Sequence, residues 1–384
     1  MRRIALFGST GSIGTQALEV ISFHPELLSV YALTTHRNVP LLVEQVEKYH
    51  PAVVVVADEK AATEHTALLK RLTCTVLVGA EGLCELAQHS DYDVMLSALV
   101  GFAGLRPTLL AIESGHEIAL ANKETLVVAG QLIMRSAREH GVRILPVDSE
   151  HSAIYQCLMG EETPLERIWL TASGGPFWQM PLDKLSQVTV ADALHHPRWS
   201  MGAKVTIDSA TMMNKGFEMM EACHLFAVAA DQISILIHPE SVVHSMVQFA
   251  DGSVKAQLAV PDMRLPISLA LHGGVREPLP IARQPFVGTT LHFEEPDAAH
   301  VPCLVLAFDA FRQGGKIPCL LNAANEVAVA AFLSGELRFD QIHAVNRATM
   351  EALQPQRPDS LEALLSLDAE ARSVAWGLLR HMVA

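Results

Sequence analysis

Apolar positions in the first 150 residues fall in short unbroken runs. Runs at 3–7, 28–33, 52–57, 75–78, 93–98, 117–121 and 142–147 predict strands. Several are β-branched and carry little polar alternation, as parallel strands buried on both faces do. Between them, 14–23, 41–49 and 126–140 space their apolar residues at helical intervals. The alternation predicts an α/β fold with an N-terminal, Rossmann-like, doubly wound parallel sheet.

The pattern changes near residue 150. Strands are predicted at 168–172 and 205–208, on either side of a long irregular stretch. Further strands at 233–237, 242–249 and 254–258 follow, the last two joined by an Asp251-Gly252 hairpin turn. This reads as a central α+β catalytic domain. Pro278, Pro280 and Pro285 mark an extended linker. From residue 301 the pattern is helical, at 303–312, 320–333, 341–353 and 361–382, which predicts a C-terminal helical bundle. The expected domains are 1–149, 150–275 with a lid at about 174–204, a linker at 276–300, and 301–384.

Composition narrows the function. The chain has 384 residues, half hydrophobic and 18% charged, an ordinary globular balance. A net charge of −14, with no basic stripe, argues against a nucleic-acid partner and against a polybasic membrane contact. The apolar run at the start is broken by Gly8 too early for a signal-peptide core. No apolar stretch reaches the roughly 18 residues of a membrane span. Six scattered cysteines without a CxxC pair read as reduced thiols, which suits a cytoplasmic protein.

Gly8-Ser-Thr-Gly11-Ser-Ile-Gly14 follows the first strand and opens the first helix. Small residues there let a pyrophosphate approach the free N–H groups of a helix N-terminus. The second strand ends in Thr35-His36-Arg37-Asn38, with no acid for a ribose 2′-hydroxyl and a guanidinium where a 2′-phosphate would lie. NADP is therefore favoured over NAD. Asn122, Lys123 and Glu124 stand at the carboxyl end of a later strand, where open α/β sheets bind ligands.

Asp148 and Glu150 end another strand, and spaced i,i+2 they point the same way if the strand continues. Asn214, Lys215 and Glu218 share a helical face, with Asp208 and Ser209 at or just before that helix's start. Carboxylates of this kind suit Mg²⁺ or Mn²⁺. The hydroxyl, amide and ammonium suit a phosphate. The Gly- and Pro-rich stretch through His196, Trp199 and Met201 reads as a lid that excludes water.

Together these motifs resemble the 1-deoxy-D-xylulose 5-phosphate reductoisomerase family. The resemblance rests on the glycine turn, Ala121-Asn-Lys-Glu124, Asp148-Ser-Glu-His151, Ser173-Gly-Gly175, His196-Pro-Arg-Trp-Ser-Met-Gly202, 208–218 and Asn322-Ala-Ala-Asn-Glu326. It implies NADPH- and metal-dependent isomerisation and reduction of a ketose phosphate, in a homodimer. Asp148, Glu150 and Glu218 would bind Mg²⁺ or Mn²⁺, with Co²⁺ a further candidate, and with Lys123 they form the implied catalytic set. Ser173, His196, Ser209, Asn214 and Lys215 would hold the phosphate, Lys123, Ser149, Glu150 and Glu218 the rest of the sugar, and Trp199 would cover it. Thr10, Gly11, Ser12, Ile13, His36, Arg37, Asn38, Asn122, Glu124 and Gly202 would contact NADPH. His36 departs from the glycine often found there in the family. Two other readings remain: a simple NADP-dependent dehydrogenase, and an NADP(H) sensor without turnover.

Overall fold

The computed structural model describes residues 1–199, 201–353 and 360–383. Ser200 of the lid motif, residues 354–359 and Ala384 lie outside the described residues. Contacts divide the chain into two compact units. Unit 1 comprises residues 1–125, 132–152 and 262–282, and unit 2 comprises 126–131, 153–261 and 283–384.

The N-terminal part runs β1 (Arg2–Phe7), α1 (Ser12–Phe23), β2 (Leu28–Thr35), α2 (Val39–Tyr49), β3 (Val53–Val56), α3 (Glu59–Glu64), α4 (Thr66–Leu69), β4 (Thr75–Val78), α5 (Gly79–Ala87) and β5 (Val94–Ser97). It continues with α6 (Leu105–Glu113), β6 (Glu117–Leu120), α7 (Glu124–Glu139), β7 (Ile144–Pro146) and α8 (Ser149–Leu158). All seven strands pair in parallel, in the order β4-β3-β2-β1-β5-β6-β7. The interior strands β3 and β5, and β1 from Ile4 onward, are largely apolar and inaccessible, which is why they lack alternation. Strand order reverses between β1 and β5. Ligands of such sheets bind at that switch point, outside the carboxyl ends.

In unit 2, β8 (Leu165–Ala172) leads through the lid segment and α9 (Val190–Leu194) to α10 (Ala203–Ala210) and α11 (Met213–Phe226). Then come β9 (Ile233–Ile237), β10 (Val243–Phe249) and β11 (Val254–Leu258). These strands form a mixed sheet, β11-β10-β8-β9, and Gly252 closes the expected hairpin. Next, α12 (Arg264–Leu271) belongs to unit 1, where Arg2 donates to the Leu271 carbonyl at 2.8 Å and Arg264 pairs with Glu19 at 3.1 Å. No regular helix or strand occupies 276–300. Helices α13 (Pro302–Gln313), α14 (Ile317–Leu333), α15 (Ile342–Ala352) and α16 (Leu361–Val383) follow, packed with α10 and α11 in unit 2.

Three local expectations fail. The predicted strand at 205–208 is helical, inside α10. Val205, Thr206 and Ile207 raise its β propensity, but tertiary burial of Thr206, Ile207, Asp208 and Ala210 on one face decides the matter. Asp208 and Ser209 therefore end α10 and do not open α11; Met212, in the left-handed region at φ 61°, separates the two helices. Asp148 and Glu150 do not share a strand face. β7 stops at Pro146, and the two flank Ser149 at the start of α8.

Candidate active site

In unit 1 the glycine turn lies at the switch point. Gly11 caps α1 without a side chain, which leaves the helix's first N–H groups for a ligand. A Cβ on Gly14 would fall 2.2 Å from the Gly8 carbonyl oxygen, so turn and helix can close up only around glycine. Thr10 is held by the Thr35 hydroxyl at 2.7 Å, which ties the turn to the end of β2. Arg37 projects beside it, largely exposed, and donates through Nε to Asp58 at 2.7 Å; His36 Nε2 is 3.8 Å from the same carboxylate. Sequence reasoning missed Asp58, because it arrives from the end of β3 and not from β2. The Ala61 backbone N–H and Arg37 hold its carboxyl below the usual range.

Asn122 and Glu124 are buried. The Asn122 amide donates to the Gly101 carbonyl and to Glu124, both at 3.0 Å, so the pair forms a rigid floor at the end of β6. Lys123 turns the other way, its Nζ 2.6 Å from Asp148. Burial works against ionisation of Asp148, but Lys123 and His151 outweigh it and hold the carboxyl well below its ordinary value. Asp148 also accepts from the Glu150 backbone at 3.3 Å, and Ser149 donates to Glu150 at 2.5 Å. His151, 3.8 Å from Asp148 and fully buried, was missed as a member of this group.

In unit 2, Ser173 leaves the end of β8 and its hydroxyl meets His196 Nε2 at 3.0 Å. His196 Nδ1 accepts from the backbone of Arg198 at 3.2 Å and of Trp199 at 2.9 Å. The proton of the neutral ring therefore sits on Nε2, aimed at Ser173. Burial pushes the His196 pKa down, which favours that neutral form. Gly175, at φ 68°, lets the chain pass so close to α10 that a Cβ would lie 2.9 Å from the Ser209 carbonyl oxygen. Trp199 is half-buried, its ring 6.1 Å from that of His244.

The expected helical face on α11 is present. Asn214 donates to Glu218 at 2.5 Å and Lys215 forms an ion pair with the same carboxylate. Lys215 and Glu218 are both almost inaccessible. A charged donor and its acid are thus pre-arranged in the interior, where unpaired charge is costly, with the half-buried Asn214 beside them. All six cysteines are free thiols. Cys303 stands in the first turn of α13, but burial pushes its thiol up to about 12, which removes it as a nucleophile.

A family model described as 1-deoxy-D-xylulose 5-phosphate reductoisomerase matches residues 4–130. Models of the C-terminal domains of such enzymes match 144–226 and 258–374. A curated relative from Porphyromonas gingivalis with the same description is 52% identical, over 98% of each chain. One from Bacteroides fragilis is 50% identical over the same shares. A solved reductoisomerase from Zymomonas mobilis in complex with NADPH is 41% identical, with a TM-score of 0.91 over 98% of this chain and 99% of that one. A further solved reductoisomerase, in complex with NADPH, fosmidomycin and magnesium, is 38% identical, with a TM-score of 0.93 over 100% and 99%.

Proposed function

The chain belongs to the 1-deoxy-D-xylulose 5-phosphate reductoisomerase family, and from that premise we propose how its residues divide the work. The reaction is the NADPH- and divalent-metal-dependent isomerisation and reduction of 1-deoxy-D-xylulose 5-phosphate to 2-C-methyl-D-erythritol 4-phosphate. The observation that carries the division is the Asn214, Lys215 and Glu218 group, its lysine and acid buried, which sets phosphate-type donors beside a metal-type carboxylate on one helix.

Asp148, Glu150 and Glu218 are assigned to the metal. Their hard oxygen donors fit Mg²⁺, Mn²⁺ or Co²⁺, and the charge of Asp148 is secured by Lys123. When bound, such an ion acts as Lewis acid and template towards the substrate's carbonyl and hydroxyl oxygens. Ser173, Ser209, Asn214 and Lys215 bind the phosphate. His196 presents its Nε2 proton to the same anion and so needs no charge of its own. Lys123 and Ser149 orient the sugar hydroxyls. Trp199 and Met201 exclude water while the chain is rearranged and reduced.

Thr10, Gly11, Ser12 and Ile13 take the NADPH pyrophosphate on the first turn of α1. Arg37, with His36 and Asn38, takes the 2′-phosphate, and Asp58 keeps the guanidinium in place until it arrives. Asn122, Glu124 and Gly202 complete the nucleotide contacts. The protein works as a cytoplasmic homodimer. No helix of the described residues is long and apolar enough to cross a membrane.

Glu218→Gln tests the division most simply. Turnover falls more than about 100-fold, the range seen for lesser losses around metal ligands, while NADPH affinity by fluorescence titration is unchanged. Near-normal turnover would remove Glu218 from the metal site.

A further inference from the structure

The Asn322-Ala-Ala-Asn-Glu326 run has no part in the chemistry above, yet Asn322 and Asn325 are fully buried on α14. Asn325 Nδ2 donates to Asp208 Oδ1 at 2.7 Å. Asn325 Oδ1 accepts from Nδ2 of Asn346, on α15, at 3.1 Å. The other oxygen of Asp208 meets Lys204 Nζ at 2.7 Å, one turn back along α10. Lys204 in turn stands over the Phe217 ring of α11, 5.2 Å from its centroid. One buried carboxylate thus joins α10, α11, α14 and α15.

Stability does not account for this arrangement. A buried ion pair seldom repays its desolvation, and apolar packing would serve as well. Asn346 Oδ1 is left buried without a hydrogen-bond partner among the described residues, a further cost. What the network does supply is orientation. The sense of the Asn325 amide is fixed from both sides, because reversed it would set its oxygen against Asp208 and its nitrogen against Nδ2 of Asn346. Lys204 closes the lid segment, Ser209 directly follows Asp208, and Gly175 at the other end of the lid packs on the Ser209 carbonyl.

We propose that Asp208 is a positioning residue: held by Asn325 and Asn346, it anchors the C-terminal end of the lid through Lys204 and places the neighbouring Ser209 hydroxyl for the substrate phosphate. The inference rests on the assignment of Ser209 to that phosphate.

Asn325→Leu and Asn346→Leu, with Ser209→Ala alongside, test it in the full-length enzyme. Asn325→Leu removes a hydrogen bond to a charged group and raises KM for 1-deoxy-D-xylulose 5-phosphate about tenfold. Asn346→Leu removes one of the two restraints on that amide and raises KM about threefold, and in both variants kcat and NADPH affinity stay within about twofold of wild type. Trypsin cleavage after Arg198 becomes faster in both. If Asn325→Leu does not fold, Asn346→Leu carries the test, since it leaves the partners of Asp208 in place. An unchanged KM in both variants, with KM raised by Ser209→Ala, overturns the proposal. So does a parallel loss of kcat and Tm at unchanged KM, which marks a merely structural network. If Ser209→Ala leaves KM unchanged, the phosphate assignment itself fails; lid cleavage then decides, and a wild-type rate overturns the anchor.

Discussion

Lys215 and Glu218 are one helical turn apart in the interior, and each makes the burial of the other tolerable. The pairing gives Lys215 a position before any phosphate arrives. Lys215→Ala raises KM about tenfold or more by loss of a charged contact, with a smaller effect on kcat, in steady-state kinetics. An unchanged KM refutes the contact. One titrating histidine affects folding, not chemistry. His224 ends α11 against Phe311, and burial lowers its pKa from 6.5 to about 4. The unfolded chain takes up a proton near pH 6.5 and the folded chain only near 4. Stability is therefore full above pH 6.5 and falls between 6.5 and 4. By pH 5 this contribution falls by about 2 kcal/mol, read as a drop in Tm that is smaller in His224→Gln than in wild type.

At the scale of elements, the glycine turn and α1 form one device. Gly14 brings the helix onto the turn, and the atoms that a Cβ would strike are backbone. Gly14→Ala displaces the turn, costs about 1–3 kcal/mol of stability and weakens NADPH binding at least in step. Wild-type affinity by fluorescence titration would show that the close approach has no role in the cofactor site. Elements were legible in the sequence where one signal dominated. The four valines of β3 admit no other reading, and the face shared by Asn214, Lys215 and Glu218 follows from helical spacing alone. Residues 205–208 misled because their β-branched side chains read as strand while contacts from distant helices hold them in α10. Asp58 and Asn325 were out of reach for a related reason. Each acts through a partner far away in the chain, on Arg37 and Asp208, and spacing cannot report such a pairing.

At the scale of the molecule, a parallel sheet with its glycine turn at the switch point accounts for the nucleotide. A second unit holds the buried lysine and acid that the proposal assigns to a phosphorylated, chelating substrate. The net charge of −14 disfavours a polyanionic partner beside these two ligands. Neither a simple dehydrogenase nor a cofactor sensor needs the three carboxylates assigned to metal. The most direct measurement follows NADPH absorbance with purified protein, 1-deoxy-D-xylulose 5-phosphate and Mg²⁺ or Mn²⁺, and repeats it with EDTA. The account predicts oxidation that requires both substrate and metal and stops on chelation. NADPH binding without oxidation under any divalent metal, or oxidation indifferent to EDTA, would contradict it.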